Sequence, residues 1–139
     1  MQDFVHLHVH TQYSLLDGQA SVARLVDKAM KNGMKGIAVT DHGNMFGIKE
    51  FTNYVNKKNS GPKGEIKDLK KRIAGIEAGT VECEDKEAEI AACKAKIVEA
   101  ENKLFKPIIG CEMYVARRTM DLKEGKPDQS GYHLIVLAK

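Results

Sequence analysis

The stretch Val5-His6-Leu7-His8-Val9-His10 alternates apolar and imidazole side chains, and this period of two constrains the fold more than any other feature of the chain. Successive side chains of a β-strand point to opposite faces, so His6, His8 and His10 share one face and Val5, Leu7 and Val9 the other. Imidazoles at alternating strand positions can converge on one ion. A half-buried edge strand with histidines on its wet face would give the same pattern. The distribution of histidine favours metal: three of the chain's five lie in this one stretch, and a fourth stands in Thr40-Asp41-His42-Gly43.

At 139 residues the chain is at most one domain of ordinary size. Its 42% hydrophobic content and its periodic segments indicate a globular protein. A net charge of +3 does not by itself imply a nucleic-acid partner. Cys83, Cys93 and Cys111 are odd in number and lack a CxxC spacing, so they read as free thiols in a reducing compartment. The start Met1-Gln2-Asp3-Phe4 has no basic leader, and no stretch approaches the roughly 20 apolar residues that span a bilayer. A soluble cytoplasmic protein, with no membrane partner, is expected.

Phe4 to His10 is the first predicted strand, and Gln12 to Gly18 a loop. Ser21 is placed to cap a helix whose Val22, Leu25, Val26, Ala29 and Met30 form one apolar face, ended by Asn32-Gly33. Gly36-Ile37-Ala38-Val39-Thr40 is a continuous apolar run suited to a strand buried on both faces. Strand, helix and buried strand in this order predict a βαβ unit. A further helix is expected from Met45 to Lys57.

The character then changes, and residues 58–106 read as a helical insert. Ile66, Leu69, Ile73 and Ile76 step by three and four, as do Ile90, Cys93, Ile97, Ala100 and Leu104. These are heptad-like seams of two helices, with Gly79-Thr80 as the turn between them. Residues 57–79 carry seven basic and three acidic side chains, and residues 80–106 carry five and seven, so an antiparallel hairpin is favoured. Interleaved Glu and Lys indicate a solvated arm rather than a DNA-reading helix. Beyond it, Pro107 to Val115 is a third predicted strand, Arg117 to Gly131 a loop, and Tyr132 to Ala138 a fourth strand. Ending on a bare apolar strand, the chain reads as a fragment of something longer.

Four parallel strands with polar residues at their ends suggest part of a (β/α) barrel, whose sites gather at the C-terminal rim. His8 and His10 end the first strand, Asp41 and His42 follow the second, and Glu112 and His133 belong to the third and fourth. Asp17, in the first loop, can reach the same rim. Singly, Glu112 reads as a solvent-facing charge, His133 as a backbone-bonded core histidine and Asp41 as a turn former. Together, nitrogen and carboxylate donors suit zinc, manganese or iron.

At these residues the sequence strongly resembles the PHP domain family (polymerase and histidinol phosphatase), in the branch at the N-terminus of bacterial replicative DNA polymerase alpha subunits. The matching stretches are Phe4 to Gly18, Ala38 to Gly47, Lys106 to Glu112 and Tyr132 to Leu134, about half the chain. The HxH pair fits any family member; Tyr13-Ser14-Leu15-Leu16-Asp17-Gly18 and Asp41-His42-Gly43-Asn44-Met45-Phe46-Gly47 are more specific to the polymerase branch. The resemblance implies an α/β fold, part of a distorted (β/α)7 barrel holding up to three divalent ions. It assigns His8, His10, Asp17, His42, Glu112 and His133 as ligands, with Glu112 bridging two ions and no role for His6. Metal-assisted phosphoester hydrolysis would then run through His10, His42 and Glu112, with Asp41 orienting a ligand from behind. DNA and other replicase subunits are the implied partners. A free-standing phosphoesterase such as a histidinol phosphatase, or a module docking a proofreading exonuclease, would share the motifs. Later ligands and the polymerase acidic residues are expected beyond Lys139, and an unfinished barrel edge is expected to drive self-association.

Overall fold

The computed structural model describes residues 4–126 and 131–139, so residues 127–130 of the expected loop lie outside the described residues. The chain divides into two compact units, Met1–Val55 with Lys106–Lys139, and Asn56–Phe105.

In the first unit, helix α1 (Val22–Lys31) buries Val22, Val26 and Ala29, as the 3.6-residue pattern predicts. Ser21 stands at its N-cap in extended conformation, but its side chain makes no capping bond. Gly33 adopts φ 76° beyond the last turn, and Met34 N–H returns to Ala29 O at 3.0 Å. That left-handed step favours glycine. Strand β1 (Gly36–Val39) is buried throughout, as a continuous apolar run requires. Helix α2 (Ile48–Lys58) starts three residues later than expected and buries Phe51 and Val55.

Strand β2 (Lys106–Val115) runs parallel to β1, pairing Gly36 with Lys106 and Val39 with Ile109. Strand β3 (Tyr132–Leu137) pairs with β2 in antiparallel register, Gly110 opposite Leu137 and Val115 opposite Tyr132. The sheet order is β1-β2-β3. The expectation of four parallel strands is therefore corrected. A parallel return needs a crossover, usually an α-helix, and no α-helix lies between Val115 and Tyr132 among the described residues.

A second correction concerns the first predicted strand. Residues 4–10 form no strand, and the backbone bends at Leu7. Ala38 N–H donates to His6 O at 2.8 Å and Thr40 N–H to Val9 O at 2.9 Å. One side advances two residues while the other advances three, so a regular ladder cannot form. The Thr40 hydroxyl takes over one position, accepting from Val9 N–H at 2.9 Å.

The second unit holds helices α3 (Ser60–Glu77) and α4 (Lys86–Asn102), which pack on each other. Ile76, Cys93 and Ala100 are buried, and the other seam residues from Ile66 to Leu104 are half-buried. The connection is longer than a tight Gly79-Thr80 turn, and Asp85 caps α4 by accepting from Ala88 N–H at 3.0 Å. At the base of the hairpin, Asn59 Nδ2 donates to Phe105 O at 2.8 Å, and Phe105 N–H donates to Asn59 Oδ1 at 2.9 Å.

Candidate metal centre

The six candidate ligands reach one place from four separate segments. His8 and His10 stand two residues apart on the segment beside β1, and both Nε2 atoms approach Glu112 Oε2, at 2.9 and 2.5 Å. Glu112 is 5% exposed in the middle of β2. His133 lies opposite Tyr114 in the β2–β3 ladder, and its Nδ1 is 2.7 Å from Glu112 Oε1. Antiparallel pairing brings the start of β3 to the C-terminal end of β2, so His133 arrives at the expected rim although its strand runs the other way. His6 points elsewhere, its ring edge-on to Phe4.

His42 follows β1, where the parallel ladder continues as Glu112 N–H to Asp41 O at 3.1 Å and Gly43 N–H to Glu112 O at 2.8 Å. Its Nδ1 meets Asp17 Oδ2. Asp17 is carried by a tight loop in which Ser14 O accepts from both Asp17 N–H and Gly18 N–H, at 3.0 and 2.8 Å. A Cβ on Gly18 would lie 2.0 Å from Thr11 O, so only glycine lets the loop close.

Asp41 does not face the ligands. Its buried carboxylate accepts from Thr11 N–H at 2.6 Å, Ser14 Oγ–H at 2.7 Å and Thr11 Oγ1–H at 2.9 Å. Ser14 Oγ in turn accepts from His42 N–H at 2.9 Å. One carboxylate thus ties the Asp17 loop to the His42 turn.

Among the described residues, three groups have ligand atoms within 4.8 Å of one another: His8, His10 and Glu112; His10, Asp17 and His42; and His42, Glu112 and His133. His10, His42 and Glu112 each belong to two groups. Tetrahedral zinc at about 2.1 Å from its donors holds them about 3.4 Å apart, a spacing that small side-chain rotations reach within such groups. His42 Nε2 is buried and finds no hydrogen-bond partner among the described residues. A buried polar atom without a partner is costly, and a bound cation would satisfy it. The donor set fits a metal.

The electrostatics point the same way. Burial pushes the Glu112 carboxyl up, but hydrogen bonds from His8, His10 and His133 and the charge of His42 outweigh it, lowering the pKa to about 2. The site keeps a buried carboxylate ionised among imidazoles. Sequence reasoning missed Tyr114, whose ring lies 5.0 Å from that of His42 and 5.1 Å from that of His133. Its signal was available, since it stands two residues past Glu112 on the same strand face.

Residues 6–139 match the family model of the PHP domain. The chain belongs to that family. This PHP domain is 38% identical over 139 residues to DNA polymerase III subunit alpha of Borreliella burgdorferi, and 37% over 137 residues to that of Treponema pallidum. Each alignment covers 98% of the chain but 8% of the relative, so the chain spans under a tenth of their length. The Aquifex aeolicus subunit is 54% identical over 50 residues, 36% of the chain and 4% of that protein. No helix among the described residues is long and apolar enough to cross a membrane.

Proposed function

We propose that this PHP domain is part of a replicative DNA polymerase alpha subunit and carries a metal centre for phosphoester hydrolysis. The observation that carries this reading is the set of three overlapping ligand groups, two of which contain His42, whose buried Nε2 has no partner among the described residues. His8, His10, Asp17, His42, Glu112 and His133 would hold up to three ions of zinc, manganese or iron, as the mix of imidazole and carboxylate donors suits. Bound metal would supply Lewis acidity and lower the pKa of a coordinated water.

The chain's own residues set the geometry. Glu112 turns Oε2 to His8 and His10 and Oε1 to His133, the orientation of a carboxylate bridging two groups. Asp41 fixes the loop that presents Asp17 and, through Ser14, the turn that presents His42. The three-stranded sheet would be one part of a (β/α)7 barrel in a longer protein, and residues 58–106 a helical insert within the domain. DNA and other replicase subunits in the cytoplasm are the partners this reading gives, supported by the polymerase names of the relatives.

Replacing His10, which serves two of the groups, is the direct functional test. His10→Ala in the full-length protein should remove zinc- or manganese-dependent phosphodiester hydrolysis by about a hundredfold or more. Undiminished hydrolysis by that variant would refute the assignment.

A further inference from the structure

We infer that the cleft beside His42 is a stacking subsite for the terminal base of a single-stranded nucleic acid, with Leu15 and Phe46 as its walls. The inference rests on the hydrolytic reading of the metal centre and names the substrate group that the centre would be offered.

The cleft, about 510 Å³, is lined by Tyr13, Leu15, His42, Asn44 and Phe46 among others, so it opens directly from the ligand cluster. That volume suits one ring-bearing group. Leu15 is 83% exposed and Phe46 is 77% exposed. Neither contributes to the core, so core packing does not account for their apolar character.

The walls are held in place. Asp41 and Gly18 fix the loop around Leu15, and Leu16 takes a left-handed φ of 74°, which a leucine adopts only at an energetic cost. Such strain concentrates where a loop is shaped for a ligand. On the other side, Asn44 bonds the Tyr13 and His42 carbonyls at 3.0 and 3.1 Å and accepts from Phe46 N–H at 3.2 Å. The Asn44 amide is thus consumed internally, and the Tyr13 hydroxyl donates to Glu50 at 2.7 Å. What remains facing the cleft is largely apolar and aromatic.

This chemistry separates two phosphoester substrates. Pyrophosphate offers only oxyanions and no group for the apolar and aromatic walls of the cleft to hold. A nucleotide joined to a chain offers a phosphoryl group for the metal end and a planar base for Phe46. Base–aromatic stacking is tolerant of base identity, so this subsite would read the presence of a base rather than its sequence.

The test uses the full-length protein loaded with zinc and a single-stranded oligonucleotide ending in 2-aminopurine, whose fluorescence falls on stacking. Phe46→Ala should remove most of the fluorescence change and weaken binding roughly tenfold, with Leu15→Ala smaller and Phe46→Trp restoring the response. Circular dichroism and zinc content confirm that each variant is folded. The preference for a base-bearing over an abasic 3′ end should fall by a similar factor in Phe46→Ala. A fluorescence response identical in wild type and Phe46→Ala would overturn the subsite, even if hydrolysis persisted. A Phe46-dependent response without hydrolysis would uphold the subsite and remove the hydrolytic reading.

Discussion

Two buried carboxylates stand within this site, and their neighbours give them different tasks. Glu112 is surrounded by imidazoles, which can exchange a hydrogen bond for a shared ion. Asp41, 1% exposed, accepts from two hydroxyls and a backbone N–H and belongs to none of the three ligand groups. Asp41→Ala should therefore cost about 3 kcal/mol of domain stability, because it strands buried donors facing a former charge. Denaturant unfolding measures that loss, and a change under about 0.5 kcal/mol, the scale of a neutral surface substitution, would contradict it. The candidate ligands were legible in the sequence because four of the five histidines fall in two short stretches on either side of one helix. The Asp41 clamp was not, since its partners Thr11 and Ser14 lie 30 and 27 residues away and are ordinary loop residues when read alone.

At the level of elements, hydrophobic periodicity located α1, β1, β2, β3 and the two hairpin helices to within a few residues. It does not encode strand direction, and that is where the expectation failed. The clue was the segment after Val115, polar and without a helical pattern, which cannot serve as a parallel crossover. Alternation in Val5 to His10 likewise put His8 and His10 on one side, but it grouped His6 with them and did not show that the ladder would slip by one residue against β1. The faces and outer edge of β3 remain open: Tyr132 is 61% exposed, Leu134 52% and Val136 41%, next to Met113 at 47% on β2. β3 ends the sheet, with no strand beyond it among the described residues. Apolar, unpaired edges of this kind associate. The 139-residue chain alone should show light scattering that rises above the monomer mass at micromolar concentration. A concentration-independent monomer would show that these surfaces are not adhesive.

For the whole molecule, the central claim is that six residues from four distant segments make one continuous belt of ligands, with His10, His42 and Glu112 shared between groups. The residues themselves offered these six together with His6 and Asp41, and the resemblance to the family narrowed the set and supplied the roles; the overlap is visible only once the chain is folded. The claim predicts a pattern rather than a single loss. Bound metal should be counted by elemental analysis in the full-length protein and in alanine variants of all six residues. The three shared positions should each lose about twice as much metal as His8, Asp17 and His133, which serve one group each. Equal losses at all six positions, or full metal content in His10→Ala and His42→Ala, would contradict the account.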